Sequence, residues 1–421
     1  MQVDAAGEVD RMPDMTEATS YYPANRPPEP DDQPFRDGDR EAGFEITGNF
    51  RRFSQRDDMF CRAFWDDTVR SKESLEFFRG HGGKAKPRRG EGFQQKDFAL
   101  RNAAWTVADD YADRNRPRGL REGFQDPQEP RYPPVDQKVP VDSPAEMAAE
   151  IKRIARLFGA DLAGITDFDE RWLYASRAEY KTFEDKPNDL PDGLTSVIVM
   201  AHGMDHGLVQ SYPSALAGAA VGKGYSGEAA TVAQLSQYIR NLGYQAVASM
   251  NDTALVIPLA IKAGLGEYGR NQMVITPEFG PRVRFSKIFT DLPLRHDGPR
   301  RFGVTEFCAI CSRCADACPP KALPHGPPAE GGANRSAIQG VRKWTADCEK
   351  CFGYWAKMRS DCAICMRVCP FNKDFSRWQM RLARRLAGTG LRRLMLWLDI
   401  KLGYGGRRKP GQWWQSLREG T

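Results

Sequence analysis

Cys308, Cys311, Cys314 and Cys318 follow one another as C-x2-C-x2-C-x3-C and are closed by Pro319. Cys351, Cys362, Cys365 and Cys369 repeat that ending ahead of Pro370. Three thiolates on a tight loop can hold three corners of a cubane iron–sulfur cluster, while the fourth, one helical turn on, serves a second cluster. The spacing therefore assigns Cys308, Cys311, Cys314 and Cys369 to one 4Fe–4S cluster, and Cys318, Cys351, Cys362 and Cys365 to another. Zinc sites favour pairs of C-x2-C and not a third cysteine at the same interval. A disulfide framework is disfavoured because nine of the ten cysteines crowd one region of a 421-residue chain. Cys348 competes with Cys351 for one ligand place, and Cys351 is preferred. The isolated Cys61 reads as an inert buried thiol. Such a pair of clusters carries single electrons, so the remaining residues must use them.

The elements around this module divide into blocks. Residues 1–45 hold twelve acidic against four basic residues and several prolines, and read as a disordered acidic arm. Residues 46–140 show little clean periodicity and read as short helices and loops wrapped around something else, with a helix over 97–112. A third block, 141–300, begins with a capping box at Ser143–Glu146 and Pro144 at the first helical position. Met147, Ile151, Ile154, Leu157 and Phe158 give that helix its expected buried stripe, and Gly159 ends it. Strands are expected at 162–165, 196–200 and 244–248, with helices at 227–242 and 253–263. Two further strands, 273–276 and 283–289, look joined across PEFGPR. Alternating strands and helices indicate a layered α+β or α/β domain. The cluster module takes 301–376, and 377–421 is a basic tail.

Hydrophobic content of 41% and aromatic content of 10% fit a folded globular chain. No run of 18 or more apolar residues occurs, so no transmembrane helix is expected. The start, MQVDAAGEVDRM, lacks a basic and an apolar signal region, and Arg51-Arg52 is not followed by an apolar core. The expectation is a cytoplasmic protein, with the periplasmic face of a membrane as the alternative if a leader is missing. Net charge is +6, but residues 377–409 hold ten Lys/Arg and one acid, Asp399. Basic residues do not alternate with stacking aromatics, so nucleic acid is not an expected partner. Residues 378–405 read as an amphipathic helix, either docked on the core or lying on a membrane surface.

The segment NDTALVIPLAIKAGLGEYGRNQMVITPEFGPRVRFSKIFTDLPL, placed between such a domain and two clusters, resembles the reductive dehalogenases. NFRRFSQRDDMF, KDFALRNAAWTV and LGYGGRRKPGQWW also look like segments of that family. The resemblance implies a nitroreductase-like corrinoid-binding domain, followed by a bacterial-ferredoxin-like two-cluster module. The implied cofactors are two 4Fe–4S clusters and cobalamin. No D-x-H-x-x-G occurs, so the corrinoid is expected base-off, and His202 and His206, in AHGMDHG, are not expected as metal ligands. By position, the resemblance maps a proton-donating tyrosine to Tyr225, an asparagine to Asn251 and a cation to Arg284, with Lys287 as a substitute cation. It places Gly264, Leu265, Gly266, Tyr268, Gly269 and Gln272 against the cofactor, where glycine would permit close backbone approach.

The implied reaction removes halide from an organohalide with two electrons and one proton. A phenol, with a pKa near ~10, keeps its proton until a carbanion or radical anion appears. A guanidinium beside it stabilises the phenolate left behind. The implied partners are an organohalide and a low-potential donor: ferredoxin, flavodoxin or a membrane quinol chain. Peripheral membrane contact and a homodimer are also compatible with the sequence. Two rival functions share these features: epoxyqueuosine reduction on tRNA, and a two-cluster electron carrier without substrate.

Overall fold

The structure, a computed structural model, describes residues 38–79, 90–121, 123–179 and 181–419, together with Tyr21, Arg36, Pro87 and Arg88. Most of the expected acidic arm lies outside the described residues. Its last part is folded: Asp39–Ala42 form one helical turn, and Arg171 donates to both Asp39 carboxylate oxygens at 2.6 and 2.8 Å. Strand β1 (Ile46–Arg51) follows. Helices α1 (Met59–Trp65) and α2 (Lys72–Arg79) come next. Helix α3 (Gln95–Asp113) covers the helix expected at 97–112 and opens with a capping box between Gln94 and Asp97.

Ser143 caps α4 (Pro144–Leu157), its hydroxyl accepting from Glu146 N–H. The buried stripe is Ala148, Ile151 and Ala155. Leu157, expected in it, is 77% exposed because it falls on the opposite side of the helix. The central sheet uses β2 (Leu162–Asp167) and β3 (Ser196–Gly203). Helix α5 (Ala215–Asn241) then leads to β4 (Ala246–Ser249) and α6 (Val256–Lys262). A small hairpin, β5 (Glu267–Tyr268) with β6 (Val274–Ile275), precedes β7 (Val283–Thr290).

The sheet order is β2-β3-β7-β4, and every pairing is antiparallel. Of the two layer classes expected, the α+β description therefore holds. Strand β3 is buried along nearly its whole length because both faces are covered. Ile198, Met200 and Ile288 meet Val232, Leu235 and Ile239 of α5. Val197, Val199 and Phe289 meet Leu259 and Ala260 of α6. The expected hairpin across PEFGPR does not form. β6 pairs with β5, whereas β7 joins the central sheet, and only the bridge between Thr276 and Gly280 spans the turn.

Helix α5 starts twelve residues before the expected helix at 227. Ser214 caps it, accepting from Ala217 N–H at 3.0 Å. Glycine costs about 1 kcal/mol in a helix, yet four glycines here have packing reasons. A Cβ on Gly218 would lie 2.8 Å from the Asp361 carboxylate, and one on Gly222 2.5 Å from the Trp105 ring. One on Gly224 would lie 2.6 Å from Arg284 Cγ, and one on Gly227 3.1 Å from His202. Side chains from α3, β3, β7 and the cluster module thus press directly onto the α5 backbone.

The cluster module contains α7 (Val304–Ile310), β8 (Gln339–Lys343) and α8 (Cys348–Met358). β8 pairs antiparallel with β1, so the N-terminal region and the module share a sheet. Phe60 and Phe77 stack edge-on against Phe352 of α8. The segment expected as one helix over 378–405 is two, α9 (Trp378–Ala387) and α10 (Arg392–Lys401), and α11 (Pro410–Glu419) follows. Gly388 breaks the first from the second where the chain presses on Gly303, at a distance that leaves no room for a Cβ.

Candidate active site

Helix α5, strand β7 and the turn after β4 bring Tyr225, Arg284 and Asn251 together. Asn251 Nδ2 donates to Tyr225 Oη at 3.0 Å. Arg284 Cζ stands 3.8 Å over the Tyr225 ring, a cation–π contact. Gly224 makes that approach available, since the Arg284 stem crosses α5 where a side chain would stand. The ring is boxed by Trp105 of α3 at 4.8 Å and Phe124 at 5.1 Å. Burial raises the Tyr225 phenol above its ordinary value, and Arg284 opposes that rise. The phenol therefore holds its proton at neutral pH.

Glu228, one turn after Tyr225, is fully buried. Its carboxylate lies 3.7 Å from Arg284 Nε. Burial pushes it up to about 8, against the pull of Arg284 and Lys287. Asp361, also buried, is pushed up to about 6 by burial, opposed by Arg101 and Arg284. Lys287 is buried on β7, three residues beyond Arg284 and so on the opposite strand phase. Its ammonium donates to the Met250 carbonyl at 2.8 Å, so the cation over the phenol ring is Arg284.

The cysteines fall into two sets. Cys308, Cys311, Cys314 and Cys369 line one cavity together with Arg270, Asn271 and Phe371. Cys318, Cys351, Cys362 and Cys365 share an apolar cluster with Ala322 and Ile364, which Cys314 of the first set also joins. Cys348 instead packs with Phe60, Phe77 and Trp355. Cys61 is buried. Cys362 directly follows Asp361, so the second set adjoins the Tyr225 constellation.

Residues 264–272 are engaged by the chain itself. A Cβ on Gly264 would strike the Gly298 carbonyl at 2.7 Å, and one on Gly266 the Ile275 carbonyl at 2.3 Å. Gly269 packs on Ile275, and Leu265 is buried in the core under the sheet. Tyr268 donates to the Trp344 carbonyl at 2.8 Å, and Gln272 Oε1 accepts from Ala346 N–H at 2.8 Å. The close approaches that glycine permits here are to the protein itself, to backbone carbonyls at Gly264 and Gly266 and to side chains at Gly269, and the segment docks the domain on the cluster module. His202 is neutral, held down to about 4 by burial, and meets Thr231 at 3.1 Å. His206 pairs with Gln210 in a separate short helix.

Glu228, Asp361, Trp105 and Phe124 were not singled out from sequence. Glu228 had a signal: once 215–227 is helical, Tyr225 and Glu228 at i, i+3 share a face.

The geometry defines an antiparallel α+β domain fused to a two-cluster module. Residues 307–372 match the family described as 4Fe-4S double cluster binding domain, and residues 186–294 match the one described as reductive dehalogenase subunit. The tetrachloroethene reductive dehalogenase of Sulfurospirillum multivorans is 32% identical over 388 residues, 84% of this chain and 75% of that protein. That of Desulfitobacterium hafniense is 36% identical over 286 residues, 58% of this chain and 51% of that protein. This chain belongs to the reductive dehalogenase family. The solved catabolic reductive dehalogenase NpRdhA has the same fold, with a TM-score of 0.67 at 22% identity over 86% of this chain and 48% of that one. The chain spans about half the length of several curated relatives it matches.

Proposed function

We propose that this chain carries the catalytic core of a reductive dehalogenase, which replaces the halogen of an organohalide with hydrogen at the cost of two electrons and one proton. The observation that carries this reading is the Arg284–Tyr225–Asn251 constellation, set beside the second cysteine set. Tyr225 is the proton donor. Arg284, over its ring, stabilises the phenolate that forms, and Asn251 fixes the oxygen's position. Guanidinium suits this place because it does not itself lose a proton. Trp105 and Phe124 keep water from the phenol and give an apolar organohalide a matching wall.

Two 4Fe–4S clusters fit the two cysteine sets, and electrons pass through them from a low-potential donor. The domain is nitroreductase-like in our reading, from its antiparallel sheet covered on both faces. Cobalamin, base-off, would supply the strongly reducing cobalt that attacks the carbon–halogen bond. Among the described residues, buried polar atoms stand without hydrogen-bond partners around Tyr225: Arg284 Nε, both Glu228 oxygens, Tyr212 Oη and Asp361 Oδ2. Such atoms are rare in folded proteins unless a ligand meets them. An amide-fringed macrocycle offers both donors and acceptors, so these residues fit it better than the 264–272 segment.

The deciding experiment is an anaerobic assay with reduced viologen and a panel of haloalkenes and halophenols. Halide release that depends on added cobalamin supports the proposal. Turnover only of epoxyqueuosine in tRNA, or an iron-replete protein with no affinity for cobalamin, would replace it with one of the two rivals.

A further inference from the structure

The tip of the β5–β6 hairpin, residues 269–273, closes over the first cysteine set. Its strands pair Glu267 with Ile275 and Tyr268 with Val274, and Gly269 N–H reaches the Met273 carbonyl at 2.9 Å. Glycine is needed at 269, because a Cβ there would stand 2.9 Å from Asn271 Oδ1. Arg270 and Asn271 both line the cavity formed by Cys308, Cys311, Cys314 and Cys369. Both are buried, at 3% and 6% exposure.

Arg270 is fully engaged with the protein. Its N–H donates to Cys308 Sγ at 3.5 Å. Its Nε and Nη2 donate to the Cys308 carbonyl at 3.2 and 2.8 Å, and Nη1 donates to the Pro324 and Gly326 carbonyls at 3.0 and 2.8 Å. These bonds pin the hairpin tip to the cluster module. Asn271 is only half engaged. Its Oδ1 accepts from Met273 N–H at 3.4 Å, which fixes the other end of the amide as the NH2 donor. That Nδ2 is buried and has no hydrogen-bond partner among the described residues, the four thiols included. Beyond the thiols and Arg270, the cavity is lined by Ile275, Phe307, Pro370 and Phe371, whose side chains carry no acceptor. A buried donor of this kind is rare unless a ligand meets it.

We propose that Asn271 Nδ2 donates to an inorganic sulfide of the 4Fe–4S cluster held by Cys308, Cys311, Cys314 and Cys369, and thereby raises that cluster's reduction potential. Besides its thiolates, which do not bond Nδ2, a cubane brings only sulfides into the cavity as acceptors. Reduction adds one electron from the low-potential donor and leaves the cluster one charge more negative. A donor aimed at sulfide stabilises that reduced state more than the oxidised one, which is how hydrogen bonds to cluster sulfur set potentials. Asn271 thus makes this cluster a readier acceptor. The inference rests on the proposed thiol assignment and not on dehalogenation, so its test reads a potential and needs no turnover.

The test is an anaerobic redox titration of the full, cluster-loaded chain, followed by electron paramagnetic resonance. Asn271→Leu keeps the size of the side chain and removes the donor. The reduction equilibrium of one cluster should fall about tenfold, the usual weight of one hydrogen bond to a charged group, which is about 59 mV for a one-electron couple. The other midpoint should not move, and iron should stay at about eight per chain. Asn271→Asp keeps the acceptor for Met273 N–H but turns a carboxylate oxygen towards the sulfides, so the same midpoint should fall further. In the parent, with asparagine isotope-labelled at its side-chain nitrogen, pulsed resonance should show that nitrogen coupled to a reduced cluster; this readout depends on no variant's folding. An iron-replete Asn271→Leu chain with both midpoints at parental values, or a parent with no coupled side-chain nitrogen, would overturn this proposal alone. A parent with fewer than two reducible clusters would overturn the thiol assignment beneath it as well.

Discussion

Tyr225→Phe removes one oxygen and nothing else. The ring contacts with Trp105, Phe124 and Arg284 do not involve that oxygen and persist. What is lost is the hydrogen bond from Asn251 at 3.0 Å, which leaves one polar donor without its partner. That costs about 1–3 kcal/mol of stability, too little to unfold a domain of this size. Chemistry should suffer far more, because a positioned general acid contributes about 10²–10⁴ in rate. Halide release by the anaerobic viologen assay should fall by that factor while iron and cobalamin content stay at parental levels. Arg284→Leu should lower the rate similarly, and the double variant should be no worse than either alone, since both act on one proton transfer. Arg284→Lys keeps a charge but loses the flat guanidinium over the ring, and should retain part of the rate. A Tyr225→Phe enzyme that turns over normally with full cofactor occupancy would refute the assignment, and the proton would have to come from elsewhere.

Cys351→Ser should lower bound iron from about eight to about four per chain, whereas Cys348→Ser should leave it unchanged; the reverse result would exchange their roles. Glu228 sits at about 8 in the folded chain against an ordinary 4.5. A raised carboxyl binds its proton more tightly when folded, so its stabilising contribution is full below pH 4.5 and is lost as pH rises towards 8. Glu228→Gln should accordingly flatten the decline in melting temperature across that window; an unchanged profile would contradict the burial argument. Gly222→Ala places a methyl 2.5 Å from the Trp105 ring, so thermal denaturation should show a loss of about 1–3 kcal/mol from overpacking.

Local signals read well where one physical cause acted alone. The cysteine intervals sort into two sets because ligation imposes spacing directly on sequence. Ser143, Pro144 and Gly159 mark both ends of α4 through capping chemistry, and Ser196–Met200 reads as a buried strand because both faces are covered. Where two causes competed, the sequence misled. Four glycines hid the first half of α5, since the packing that explains them comes from Asp361, Trp105, Arg284 and His202, all distant in sequence. A helix expected to start at 227 leaves Tyr225 outside it, which conceals that Tyr225 and Glu228 share a face. The turn at PEFGPR looked like a hairpin because strand propensity says nothing about which partner a strand takes. The tail looked like one helix because the contact of Gly388 with Gly303 is not visible in its periodicity. The reductive dehalogenase family was legible early, because its segments are contiguous and each carries several residues.

The pairing of β1 with β8 sets an order on how the protein can be made. During synthesis the strand at Ile46–Arg51 must wait for nearly three hundred further residues before its partner at Gln339–Lys343 emerges. Even then, of the eight thiols in the two sets only Cys308, Cys311, Cys314 and Cys318 have been translated, and Cys369, needed to close the first cavity, has not. Neither set of four thiols is complete before Cys365 and Cys369 have been made, after both strands of that pair. Completion of either thiol set thereby follows synthesis of both strands of this pair. A shortage of iron would therefore be felt only after β1 and β8 are both available to pair.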